Sequence, residues 1–147
     1  MTNEAIKEYI TAKAPTATYD ETGEWLNILV ESTHFKSLAT ILNGQPMQMN
    51  FLFCLTCVDY TTHLTMVYHL SATTHRQSMV IKANVTREQP SIETLCDIWR
   101  TADFLEREVF EMFGVYFEGH PDNRRLLLPE DWADLPPLRK DFAIKGR

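Results

Sequence analysis

Two cysteines three positions apart, in Cys54-Leu55-Thr56-Cys57, are the first residues of this chain whose types and spacing could do chemistry. A CxxC pair exchanges disulfides when it opens a helix, because the dipole there lowers the thiol pKa. It holds zinc when a second such pair faces it. Neither condition is met here. The pair lies in a run, Met49 to Val58, that reads as a buried strand, where a separation of three sends the two sulfurs to opposite faces. Cys96 stands apart from both. The expected role of these thiols is packing. A free thiol-redox protein using Cys54 and Cys57 is the alternative that the spacing keeps open.

The histidines are equally spare. His63 and His69 share a strand face, but six residues at ~3.3 Å each put them about 20 Å apart, too far for one ion. His34 and His75 fall at capping and loop positions. His120 sits between Gly119 and Pro121, whose backbones fix it, and a turn histidine hydrogen-bonded locally is expected there ahead of an acid–base role. There is no GxSxG, no HExxH and no phosphate-cradling glycine loop. The expectation is a chain with no catalytic, metal or cofactor residues of its own.

The elements that carry these residues follow from periodicity. Thr2 or Asn3 caps a first helix that Pro15 ends. Glu24 to Val30 reads as a strand, and Ser32 or Thr33 caps a second helix with Phe35, Leu38, Ala39 and Leu42 on one face. Met49 to Val58 is apolar on both faces, as an inner strand would be. His63 to Leu70 and Gln77 to Val85 alternate cleanly and suit antiparallel hairpins. Ser91 is expected to cap a helix with Ile92, Leu95, Ile98 and Trp99 as its stripe. A last helix spans 101–113, with Ala102, Leu105, Val109 and Met112 toward the sheet. The order predicts a two-layer α+β domain over 1–116, helices on a mostly antiparallel sheet, followed by an extended docking tail over 117–147.

Composition narrows the partners. At 147 residues and 44% hydrophobic content, one domain with a real core is expected. A net charge of −6 argues against nucleic acid. That charge sits in residues 1–116, with 8 basic and 14 acidic side chains, while 117–147 holds 6 of each. No apolar run approaches the ~20 residues of a bilayer span. Nothing at the N-terminus reads as a signal or transit peptide, so a cytoplasmic chain with reduced thiols is expected.

The last helix and the tail do not look self-sufficient. Asp103, Arg107 and Glu111 form an i, i+4, i+8 ladder, the usual mark of a solvated face. Yet Phe104 and Phe110 flank that ladder, and Glu106 and Glu108 border the apolar arc, where partial burial demands partners. Four of the seven prolines lie in the tail, excluding regular helix, while Leu126, Leu127, Leu128, Trp132, Leu135, Leu138 and Phe142 are not a disordered linker's composition. Such a segment needs extensive hydrogen bonding and an external surface to be ordered.

The run Glu106-Arg107-Glu108-Val109-Phe110-Glu111-Met112-Phe113-Gly114 opens a series of blocks. Gly119-His120-Pro121-Asp122, Arg124-Arg125, Leu128-Pro129-Glu130-Asp131-Trp132 and Pro137-Leu138-Arg139-Lys140-Asp141-Phe142 follow in order. With Asp59-Tyr60 and Val67-Tyr68-His69-Leu70 upstream, they resemble the 30-kDa subunit family of proton-pumping NADH–quinone oxidoreductase, respiratory complex I, across about residues 45–142. The resemblance implies a peripheral-arm subunit on the cytoplasmic side of a bacterial inner membrane, its tail laid on the large quinone-site subunit. FMN, iron–sulfur clusters and quinone would belong to other subunits. It further implies that Arg124, Arg125, Arg139 and Lys140 meet acidic partner groups and that Glu106 and Glu108 meet basic ones. Phe104, Arg107, Phe110, Glu111, His120, Trp132 and Phe142 complete the expected interface. A homologous subunit of a membrane-bound hydrogenase or ferredoxin-linked complex is the near alternative. Three features depart from the family pattern: Asn123, the doubled Pro136-Pro137, and the CxxC.

Overall fold

The computed structural model describes residues 1–122 and 124–144; Asn123, one of the three departures, and residues 145–147 of the tail lie outside the described residues. Helix α1 (Asn3–Lys13) starts as its sequence requires, with Thr2 Oγ1 accepting from Ala5 N at 3.2 Å. Strands β1 (Thr18–Asp20) and β2 (Leu26–Glu31) form a hairpin, and β1 had no clear periodic signal. A 3-10 turn (Ser32–His34) then leads into α2 (Phe35–Asn43), so neither Ser32 nor Thr33 caps the α-helix directly.

Strands β3 (Phe51–Asp59), β4 (His63–Ala72) and β5 (Gln77–Thr86) complete a five-stranded sheet in the order β1-β2-β5-β4-β3. Within this sheet the β2–β5 pair is the parallel one, because α2 and two further strands intervene between them. The register stacks rows of side chains on one face. Ile28, Ile81, Tyr68 and Leu55 form one row, and Val30, Ala83, Met66 and Cys57 the next. All eight are buried, with Ile6, Ile10, Phe35, Leu38 and Leu42 of the helices in the same core. The α+β expectation is met.

Two expectations are corrected. β3 is an edge strand rather than an inner one, and its outward residues Phe51, Phe53 and Val58 are exposed. Its double-sided apolar character comes from a bulge between Leu52 and Cys54 and from an aromatic cluster on the open face. There Trp25, Phe53 and His69 meet edge to face with centroids 5.6–5.9 Å apart.

The second correction concerns residues 91–99, which are not helical. β6 (Ser91–Glu93) pairs in parallel with β7 (Tyr116–Glu118), a partner more than twenty residues away. Ile92, Leu95 and Trp99 reach the core without a helix, and Trp99 Nε1 donates to Met49 O at 2.9 Å. The division drawn at 116/117 therefore runs through β7. Helix α3 (Ala102–Phe113) lies between these strands and packs on β3. It ends at Gly114, whose φ of +79° is left-handed and whose missing Cβ leaves room for Pro136 Cγ, 3.1 Å from where that carbon would sit.

Candidate docking surface

Three charged side chains on β3 and α3 hold the tail, and each takes tail backbone. Glu111 lies in the last turn of α3, where the helix dipole disfavours a negative charge. Its carboxylate accepts three tail N–H groups, from Leu126 (3.0 Å), Leu127 (2.7 Å) and Leu128 (3.2 Å). One turn earlier, Arg107 donates to the carbonyls of Arg124 (2.9 Å) and Arg125 (3.3 Å). The Arg107/Glu111 ladder is thus not a solvated face. Glu111 is buried, and both side chains read tail backbone.

Asp59 anchors the far end. It is 4% exposed at the end of β3, in one row with Leu64 and Val85. Arg87 grips it with two bonds of 3.0 Å, and the backbone N–H groups of Thr61 (2.8 Å) and Lys140 (2.9 Å) complete its shell. The Arg87 guanidinium holds the Asp59 carboxyl well below the usual carboxylate range. Asp59 stood out only as part of a family block, and Arg87 not at all. Asp59 ends an apolar run and looks like a turn residue, and the partner that buries it is 28 positions away.

Glu106 is wholly buried, with hydrogen-bond partners inside the chain. Its carboxylate accepts from Thr94 Oγ1 and from Leu95 N at 2.8 Å, with Cys96 Sγ 3.4 Å away. Burial pushes its pKa up, and the Thr94 and Leu95 bonds oppose that rise. His120, half-buried as a residue with its ring turned inward, places Nε2 3.9 Å from the same carboxylate and 3.1 Å from Asp103 O.

Cys96, Glu106 and His120 present ligand-type atoms within 4.8 Å of one another. The histidine counts against a metal. Its Nδ1 accepts from Asp122 N at 2.9 Å, which puts the ring proton on Nε2 and leaves no lone pair there for an ion. The local hydrogen bond expected of a turn histidine is present, and a second one ties the ring to α3.

Three basic residues of the tail are engaged within the chain, while the side chain of Lys140 is exposed. Arg124 pairs with Asp122 at 2.8 Å, Arg125 donates to Pro129 O at 2.8 Å, and Arg139 donates to Arg87 O. Trp132 and Phe142 lie against each other with centroids 6.1 Å apart, and Trp132 Nε1 donates to Leu135 O. Beside exposed charges such as Glu130, Asp131 and Lys140, the tail also shows large apolar side chains outward. Leu127, Leu135 and Leu138 are 62, 45 and 56% exposed, and Phe104 on α3 is 58% exposed with Arg107 over its ring. Glu108 is exposed as well, and Phe110 is half-buried against the core.

The CxxC is divided as its spacing required, Cys57 facing the core and Cys54 the other side of β3. Burial pushes the Cys57 thiol up to about 12, so it stays protonated at neutral pH. N-ethylmaleimide at pH 8 is therefore expected to leave Cys57 unmodified in the folded chain and to label it after denaturation. Mass spectrometry of tryptic peptides reads the difference.

Residues 28–147 match the family described as respiratory-chain NADH dehydrogenase, 30 Kd subunit. The chain is 43% identical over 101 residues to the C subunit of the NADH-quinone oxidoreductase of Chloroherpeton thalassium, covering 67% of this chain and 42% of that one. It is 38% identical over 123 residues to the corresponding C subunit of Roseiflexus sp., covering 81% and 70%. Against the C/D subunit of Phocaeicola vulgatus it is 45% identical over 121 residues, covering 81% of this chain but 22% of that longer one. Among solved structures, a trypsin-resistant fragment of Nqo5 superposes with a TM-score of 0.71 at 30% identity, over 83% of this chain and 99% of the fragment. A chain of an archaeal membrane-bound sulfane sulfur reductase superposes with 0.76 at 28% identity, over 96% and 85%. The fold, the ordered sequence blocks and these matches agree: the chain belongs to the 30-kDa subunit family of respiratory-chain NADH dehydrogenase.

Proposed function

We propose that this chain is a non-catalytic docking subunit in the peripheral arm of a membrane-bound NADH–quinone oxidoreductase. Its tail lies against the subunit that helps form the quinone pocket, on the cytoplasmic face of a bacterial membrane. It would support electron transfer to quinone, coupled to proton translocation, by holding neighbours in register. Flavin, iron–sulfur clusters and quinone would sit in those neighbours.

One observation carries this reading: the tail's backbone is bonded to its own body while Leu127, Leu135 and Leu138 point away from it. A chain gains nothing alone from ordering a segment that displays leucines to water. An apolar partner surface makes the arrangement favourable. In a tagged chain expressed in its own host, Leu127→Asp/Leu138→Asp is expected to cut co-purification of hydrophilic oxidoreductase subunits at least ~10-fold, since each buried leucine is worth about 1.5–3 kcal/mol. Far-UV circular dichroism should stay unchanged. Normal recovery of the partners by the double variant would sink the proposal.

The similarity to a chain of the sulfane sulfur reductase supports a second reading, the same docking role in a complex with another electron donor. The composition of the wild-type pull-down separates the two, through the presence or absence of an NADH-oxidising flavoprotein.

A further inference from the structure

We infer that Arg107 and Glu111 are a template that shapes the docking surface before any partner arrives, with Glu111 the positioning residue. This rests on the docking role proposed above and adds how the surface is made. The two side chains stand one helical turn apart, the spacing at which an arginine and a glutamate usually pair with each other. Here each instead takes main chain from one continuous segment. Arg107 reads the carbonyls of 124 and 125, and Glu111 reads the N–H groups of 126, 127 and 128.

Five consecutive residues are thereby fixed by complementary ends of two side chains, donors to carbonyls and acceptors to amides. Over 124–128 the match is to backbone, so it sets the path of the segment directly, with Asp122 Oδ2 3.7 Å from Arg107 at its start. Three converging amides form the kind of concavity that binds anions, and the chain supplies the anion itself. Stabilising the helix is not the explanation. A carboxylate in the last turn of α3 opposes the dipole, and the three N–H bonds offset that cost. What the arrangement accomplishes is to hold Leu127 outward, 62% exposed, from a backbone with no freedom to turn it in. Docking then needs little further ordering of this segment, which favours affinity.

Amide hydrogen exchange on the purified free chain tests this. The amides of Leu126, Leu127 and Leu128 are expected to be protected in wild type. Glu111→Gln removes the charge and one of the two carboxylate acceptors, and should lower that protection at least ~10-fold while β4 and β5 amides keep theirs. Co-purification with the hydrophilic subunits should fall in the same variant. Glu111→Asp keeps the charge but withdraws it by one methylene, and gives the same reading should Glu111→Gln not fold. Free-chain rates at 126–128 in wild type would overturn the proposal, since the segment would then fold only on its partner. Unchanged protection in both variants would overturn it equally, as would lost protection with full co-purification. The exchange is read without a partner, and wild-type co-purification is read without a mutation, so this inference and the docking role fail separately.

Discussion

Asp59→Ala should lower the stability of the free chain by on the order of 3 kcal/mol, the scale for removing one partner of a buried ion pair, and should free the segment around Lys140. The carboxylate takes two bonds from Arg87 and one each from Thr61 N and Lys140 N, and all four donors lose their acceptor together. Urea unfolding measures the first effect, and exchange at the Lys140 amide measures the second. The pH dependence follows from the depressed pKa of Asp59. An unfolded aspartate titrates near ~4. The stabilisation is therefore complete above that pH and is lost as pH falls toward the lower folded value. Asp59→Asn should consequently be much weaker than wild type at pH 7, and the gap should close as the solution is acidified below ~4. A gap that stayed constant with pH would show that the charge is not what matters.

Glu106→Ala is expected to be comparably damaging, at roughly 3–4 kcal/mol from a cavity plus stranded donors. Leu95 N and Thr94 Oγ1 would lose their acceptor inside the core. Glu106→Gln should recover most of the loss, because the pKa of this group is shifted the opposite way from that of Asp59. A carboxyl whose folded pKa is raised favours folding below its unfolded pKa and loses that contribution as pH rises through the folded one. The neutral amide escapes that loss, so glutamine should compare best with wild type at neutral pH and less well in acid. Thermal melts of the three proteins at pH 4 and pH 7.5 give the comparison. A glutamine variant as unstable as alanine at pH 7.5 would overturn this account.

These two carboxylates show which parts of the site could be read from sequence. Periodicity placed α1, α2, β4, β5 and α3, because each buries one face in a repeat visible within the element. It also placed Glu106 at the border of an apolar arc and inferred that it needs a partner. It could not find that partner, since Thr94 and Leu95 belong to a loop whose course is set by β6 pairing with β7. The same non-local pairing made 91–99 look helical, because Ile92, Leu95 and Trp99 repeat at a spacing that a buried loop can also adopt. β3 looked central because aromatic residues on an open sheet face read like core. The tail was legible as a segment needing hydrogen bonds, and the acceptors were not. Arg107 and Glu111 look alike in sequence whether they pair with each other or with a backbone. For the basic tail residues the family resemblance pointed outward, whereas Arg124, Arg125 and Arg139 bond within the chain.

The tail's two anchoring carboxylates come from different elements, Asp59 from the sheet's edge strand and Glu111 from the helix packed on it. Each is in position only when β3 and α3 are seated on one another. In the proposed docking role the leucine-bearing segment would therefore act as a checkpoint on its own body. A chain with a misregistered edge strand or an unseated helix offers one anchor or none, and its tail stays slack. Under the docking role proposed above, assembly that recognises the set tail would reject misfolded subunits with no separate inspection step.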